Sequence, residues 1–363
     1  MGLIKKPKQK EYYRLDNILA KDAMYNIPIS ERNIGKSYAV KERVLTRAYN
    51  SDAQFVYLRR FDRDVTASTV ENYFGDMPIS IITNGEYTGI STYRGAIFFC
   101  NFDVNGKSKR GKKIGHYIAL NNDERTKSQA FPLVTDIIYE EFVTTKTYLP
   151  DEPTRLQNLV STIFRERDGK VWLIGNKINR ICPYFTEWQL TNIPRQKNGT
   201  IDVYNFTRYD ADGDEIVTKI AVENCNSFNS QSKMFFGSAA KSITGGEWET
   251  KEYPHLQDKY ENYERLYEVE FFDCGFTFIL QLLMTKSGDL VIYCYPKTKA
   301  TRNIQRKITT NFSENRLTTV NFNVNIRAEK MMKELLQQNK ICFSDNLTGT
   351  DFNQVLLNRK GVL

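Results

Sequence analysis

The order of elements predicted along the chain is that of an α/β protein: a parallel sheet in the first 200 or so residues, then a separate α+β layer in the last hundred. Three observations carry this. Strands alternate with helices as far as residue 174, the last hundred residues run three apolar strands and then two helices, and 363 residues exceed what one hydrophobic core usually supports.

After a basic leader, residues 25–29 form an apolar strand, and 36–49 a helix whose buried face is Val40, Val44, Leu45 and Ala48. A strand at 54–59 and a helical stretch at 68–74 follow, then a three-strand meander at 79–83, 96–104 and 114–120. Residues 134–139 are another apolar strand, closed by Glu140-Glu141-Phe142. Leu156, Leu159, Val160, Ile163 and Phe164 stand at helical spacing, the helix stops at Asp168-Gly169, and 170–174 is the next strand. Gly, Asn, Ser and Asp cluster over 198–246, where short strands flank a helix-like stretch at 231–243; residues 206–262 read as a small linker subdomain. Strands at 266–272, 276–284 and 290–295 and helices at 327–336 and 350–357 complete the chain. The expected division is therefore 1–205, 206–262 and 263–363.

Hydrophobic residues make up 40% and aromatics 13%, more than a disordered chain carries, so the chain folds. The excess of 51 Lys and Arg over 43 Asp and Glu, a net charge of +8, favours a polyanionic partner. The six cysteines form no CxxC pair and only His116 and His255 could assist them, which argues against a zinc site and for a reduced, intracellular setting. No apolar run of about 18 residues occurs, so no membrane span is expected.

Between the first strand and helix lies Ser30-Glu31-Arg32-Asn33-Ile34-Gly35-Lys36-Ser37, a Walker A pattern except for Ser in place of the first Gly. The chemistry needs inward backbone N–H groups around a phosphate, a lysine on the β and γ phosphates and a hydroxyl on Mg²⁺. Strand before and helix after are the context the motif requires, so this loop and Tyr38 on the helix are the expected ATP-binding segment; an ordinary turn with an exposed lysine is the alternative. Mg²⁺ also needs a carboxylate, and the attacking water a base. Glu140 is assigned to the metal with Ser37, and Glu141 to the water, against two merely solvated acids at a strand end. Arg165 and Arg167, beyond the helical stripe, are candidates for an arginine finger, against ordinary surface arginines, and Asn176 for a γ-phosphate sensor, against a turn-forming asparagine.

Lys107, Lys109, Arg110, Lys112 and Lys113 fall in one predicted hairpin loop suited to duplex phosphates, although such tips are also charged for solubility. A second basic stretch runs from Lys297 to Lys340.

YNIPISERNIGKSYAV, QFVYLRRF, KSQAFPLVTDIIYEEF, LVSTIFRER and the CPYF that follows IGN together resemble the DNA-packaging ATPases (encapsidation proteins) of φ29-like short-tailed bacteriophages, over about residues 13–185. The resemblance implies an ASCE-type P-loop ATPase in a homo-oligomeric ring, commonly of five subunits. Such a ring docks on the procapsid's portal and drives double-stranded DNA inward, in the cytoplasm of the infected host; a packaging RNA is a further candidate partner. By position, Lys36 and Ser37 would bind ATP and Mg²⁺, Glu140 and Glu141 would be the Walker B pair, Arg165 the finger across the subunit interface, and Arg59 and Arg60 would lie near the nucleotide there. The sequence departs from the family at Ser30 and Asn33, where glycines are usual. The family's C-terminal domain resembles an RNase H-type terminase nuclease that has lost its activity. Glu268, Glu270 and Asp273 are the chief acids of the three opening strands, with no obvious later acidic partner on a helix, and no cleavage is expected. The alternatives are a large terminase subunit with a live nuclease, and a non-enzymatic nucleic-acid-binding or portal-associated protein with a decayed P-loop.

Overall fold

The computed structural model describes residues 12–358 apart from 105, 123–125, 127–128, 211, 227–247, 249, 274, 303, 305 and 310–318. The chain divides into two units. The first comprises residues up to 143, 149–177 and 190–247, the second 144–148, 178–189 and 248–363.

The first unit opens with α1 (Asp16–Leu19), β1 (Tyr25–Ser30), α2 (Lys36–Asn50), β2 (Gln54–Arg59), α3 (Ala67–Phe74) and α4 (Ile79–Ile82). It continues through β3 (Gly89–Tyr93), β4 (Ala96–Phe102), β5 (Ser108–Ala119), β6 (Val134–Glu140), α5 (Glu152–Phe164) and β7 (Lys170–Asn176). One nine-stranded sheet runs β3-β4-β5-β2-β6-β7-β1 and is completed by β9 (Glu215–Asn224) and β8 (Thr200–Tyr209). From β5 to β9 every neighbouring pair is parallel, and a β3-β4-β5 meander and a β8-β9 hairpin add antiparallel edges.

All six residues of β1 are buried, as befits a central parallel strand covered on both faces. Val40, Val44, Leu45 and Ala48 are buried on α2, and the whole predicted stripe of α5 is buried. Gly115, on β5, passes so close to β2 that a Cβ there would stand 2.4 Å from the Phe55 carbonyl oxygen.

The structure corrects three expectations. Residues 79–83 are not a strand: Pro78's carbonyl accepts from the Ile81 and Ile82 N–H groups and Thr83's hydroxyl donates to the Ile79 carbonyl, closing the helical turn α4. A short apolar run does not by itself decide between helix and strand, and the meander's first strand is β3. The basic residues 109–113 are not in a hairpin loop but on β5, because the turn closes earlier, where the Asp103 carbonyl accepts from the Gly106 N–H and Asp103 N–H donates to the Lys107 carbonyl. Residues 206–262 do not stand apart, since β9 hydrogen-bonds along β1 within the large sheet while 248–262 go with the second unit. The helix-like stretch 231–243 lies outside the described residues.

The second unit contains α6 (Pro183–Glu187), β10 (Glu264–Asp273), β11 (Phe276–Met284), β12 (Leu290–Pro296), β13 (Lys307–Thr309), β14 (Thr319–Val320), α7 (Arg327–Gln337), β15 (Ile341–Phe343) and α8 (Asn346–Asn358). Its sheet runs β14-β13-β10-β11-β12-β15. Strands β10, β11 and β12 are antiparallel, and β13 and β15 run parallel to their neighbours β10 and β12. Its separate core holds Phe271, Phe278, Phe343, Met332 and Phe352. No helix among the described residues is long and apolar enough to cross a membrane.

Candidate nucleotide-binding site

The loop from β1 to α2 owes its shape to two residues with positive φ. Gly35, the N-cap of α2, has φ 95° and offers no side-chain cap, so the helix's first N–H groups receive none from that position. Asn33 has φ 65°, and asparagine is among the few non-glycine residues that enter this region at little cost, which is how the loop dispenses with glycine there. Tyr13 fastens the loop from outside, its N–H donating to the Ile34 carbonyl (2.9 Å) and its hydroxyl to Glu223 (2.6 Å).

Lys36 is 5% exposed and folds back over the loop. Its Nζ donates to the Ser30 hydroxyl, to the Glu31 carbonyl (3.0 Å) and to Asn176 Oδ1 (3.1 Å) at the end of β7. Burial pulls this ammonium down to about 8, with Cys225 and Glu140 acting in the other direction. The substituted Ser30 is thus part of the lysine's resting cradle. Asn176, 140 residues away in sequence, meets Lys36 because β7 lies beside β1 and their ends are in register, Ser30 opposite Asn176.

Glu140 ends β6 and is buried; its carboxylate accepts from the Tyr73 hydroxyl (2.7 Å), and Ser37 is near enough to favour its charged form. Burial raises its pKa, while Ser37, Tyr73, Lys36 and Arg59 hold it down. The Ser37 hydroxyl near the Glu140 carboxylate places two oxygen donors in one region, which fits a hard divalent cation. Glu141 stands just past the strand with φ 56°, mostly exposed, its Oε2 2.6 Å from Arg59 Nη2. Lys36, Ser37, Glu140 and Asn176 therefore converge, with Glu141 next to them in sequence.

Other predicted residues lie elsewhere. Arg60 is 7% exposed, and its guanidinium donates to Glu152 and to the carbonyls of Phe142 and Glu141. Arg165 is exposed at the C-terminus of α5, and its Nη2 donates to the Gln129 carbonyl. The crossover helix α5 carries the chain from the C-terminal end of β6 to the N-terminal start of β7, which puts Arg165 towards the strand ends opposite those that carry Lys36. Arg167 donates to the carbonyls of Phe131, Pro132, Val134 and Ile163, a structural anchor. Glu31 is buried; Arg32 and Tyr38 are exposed.

Residues 8–211 match the model of the podovirus DNA encapsidation protein (Gp16) family, more than half of the chain. The chain belongs to that family. Relatives include the DNA packaging protein of Bacillus phage B103, 32% identical over 181 residues (48% of this chain, 50% of that one), and that of Bacillus phage phi29, 30% identical over 187 residues (49% and 50%). The chain thus matches about half the length of these relatives. A chain of the bacteriophage Phi-29 viral genome packaging motor assembly shares the fold, with a TM-score of 0.54 and 20% identity over 96% of this chain and 100% of that one.

Within this encapsidation-family chain, the basic segment formed by Lys107 and the start of β5 divides by environment. Lys107, Lys109 and Arg110 are exposed, Lys113 is half-buried, and Lys112 donates to the carbonyls of Tyr49 and Ser51. Arg110 also lies over the Tyr93 ring, 4.3 Å from its centroid. Two residues at the site escaped the sequence reading. Tyr73 reaches Glu140 only because α3 packs near the end of β6, and no local pattern marks it. Glu152 carried a weak signal, an acid beside Pro153 where a helix begins.

Proposed function

We propose that the chain is the ATPase of a DNA-packaging motor, binding ATP with Mg²⁺ on the loop 30–37 and using its hydrolysis to drive double-stranded DNA into a procapsid. The observation that carries this is the convergence of Lys36, Ser37, Glu140 and Asn176, drawn from two strand ends and one helix start. β7 intervenes between β1 and β6, which agrees with the ASCE class of P-loop fold.

In this reading the loop N–H groups and Lys36 hold the β and γ phosphates, Ser37 and Glu140 hold Mg²⁺, and Asn176 senses the γ phosphate. Bound magnesium supplies charge neutralisation on the phosphate oxygens. Water attacks the γ phosphorus, the bond to the ADP oxygen breaks, and the water's proton passes to Glu141 Oε2. That oxygen is paired with Arg59 at rest, so Glu141 must leave Arg59 before it accepts the proton. Arg165, exposed and towards the strand ends opposite its own loop, serves a neighbouring subunit's nucleotide in a homo-oligomeric ring, five subunits by family resemblance. The ring works on the portal in the host cytoplasm, with a packaging RNA as a further candidate partner. Lys107, Lys109 and Arg110 offer exposed positive charge to DNA phosphates.

The domains in this proposal are an ATPase domain over 1–205 with β9 added to it, and an RNase H-like domain over 263–363 without nuclease activity. An order of three antiparallel strands with two parallel strands beyond the first, β12-β11-β10-β13-β14, supports the RNase H reading. Four acids there are neutralised in pairs: Glu270 by Lys297, Glu268 by Arg302, Glu329 by Arg306, and Asp351, on α8, by Arg180; Asp273, at the end of β10, is buried. Cations in those places oppose a two-metal centre.

ATP turnover by the purified protein with and without double-stranded DNA tests the proposal. DNA-stimulated turnover is expected; an inert protein that still binds DNA would favour the decayed P-loop, and nicking with Mg²⁺ or Mn²⁺ the live nuclease.

A further inference from the structure

Glu141 turns out of the sheet with φ 56°, a backbone region that costs a glutamate energy and persists only where neighbours enforce it. The enforcing group is Arg60. Its Nη2 donates to the Phe142 carbonyl (2.7 Å) and its Nη1 to the Glu141 carbonyl (3.3 Å), while Nε and Nη2 make a two-pronged bond to Glu152 at 2.7 and 3.0 Å. Glu152 is 1% exposed. It also accepts from the Tyr139 hydroxyl (2.6 Å) and the Leu149 N–H (2.8 Å).

The chain leaves the first unit after Val143 and re-enters it at Leu149, so the network ties the stretch before that excursion to the stretch after it. A buried ion pair contributes little net stability compared with an apolar pair of the same volume. What it supplies here is direction, because the planar guanidinium fixes two carbonyls and a carboxylate in one arrangement.

We infer that Glu152, acting through Arg60, is a positioning residue for hydrolysis: the pair holds the 141–142 turn so that Glu141 is aimed at the γ phosphate, and takes no part in holding nucleotide. The inference rests on Glu141 being the base and reassigns Arg60 from nucleotide contact to support of that base.

The test uses the full chain with Glu152→Gln, and with the double replacement Arg60→Met and Glu152→Leu, which removes both charges together and so avoids stranding one in the interior. Circular dichroism checks the fold, a fluorescent ATP analogue with Mg²⁺ gives Kd, and steady-state hydrolysis gives kcat and KM. Misplacing a catalytic group by about 1 Å can cost about a hundredfold in rate. Both variants are expected to keep Kd within about twofold of wild type while kcat falls by about ten- to a hundredfold. A folded variant with wild-type kcat overturns the inference, and so does equal loss of nucleotide binding and turnover. Should the double variant fail to fold, Glu152→Gln decides alone by the same split; failure of both to fold would assign the pair to stability and overturn the inference. Glu141→Gln is the control: wild-type turnover there removes the base assignment itself, whatever Glu152 does.

Discussion

Asp136 lies on the strand that ends at Glu140, just before Glu141, yet the structure gives it a different task, which a single substitution exposes. Its carboxylate is 2% exposed and accepts from Arg47 Nη1 (3.0 Å), Trp172 Nε1 (3.0 Å) and the Thr135 hydroxyl (2.8 Å), with Arg43 Nε 3.6 Å away. Asp136→Asn keeps the shape but replaces one acceptor by a donor, so either the indole N–H or Arg47 loses its partner. Removing one member of a buried pair costs about 3–5 kcal/mol when the other charge is stranded. Here Arg43 and Arg47 are 24% and 38% exposed and can recover water, which brings the expected cost down to about 2 kcal/mol. For a unit of this size that lowers the melting temperature by about 4–8 °C. Thermal unfolding followed by tryptophan emission measures the shift, and ATP turnover well below the transition measures the chemistry. Lower stability with unchanged kcat is expected. Unchanged stability, or a tenfold loss of kcat in folded protein, would refute the separation of Asp136, as a structural acid, from the two glutamates proposed for the chemistry.

Lys36→Ala should abolish hydrolysis with the circular dichroism spectrum unchanged; turnover at the wild-type rate would remove the loop as the site. Arg165→Ala should lose turnover and recover part of it when mixed with Glu141→Gln subunits, each supplying what the other lacks; no recovery in mixed assemblies would argue against a shared site. His116, edge-on to Phe131, has its imidazole pulled down to about 4 by burial, with Lys113 adding to the effect. Below its ordinary value of 6.5 the unfolded chain takes up a proton that the folded chain refuses, so this contribution to stability is complete above 6.5 and is lost as pH falls towards 4. Denaturant unfolding of His116→Gln over that range should show a shallower decline than wild type; parallel curves would contradict it.

Much of the first unit was legible because its signals are local. The six-residue loop between an apolar strand and an amphipathic helix, the stripe from Leu156 to Phe164 and the acid pair ending a buried strand each follow from spacing along a few turns or one strand. The boundaries that slipped did so for equally local reasons. The Ile79–Ile82 run is too short to show a period, and the Asp103 turn placed the basic residues on β5 instead of in a loop. Whether β9 belonged to a linker or to the main sheet could not be seen in composition, because it depends on which edge of β1 is left to pair.

By itself the sequence determined where the lysine-bearing turn and the acid pair fall and which side chains are apolar enough to bury their surroundings, since periodicity and residue type are properties of neighbours in the chain. Only the tertiary structure decided which groups meet. Asn176 on Lys36, Tyr73 on Glu140, and Arg60 committed to Glu152 depend on strand order and helix packing between residues 67 to 140 positions apart. A hydrogen bond is made or lost within a few tenths of an ångström, a precision that burial patterns along the chain do not carry.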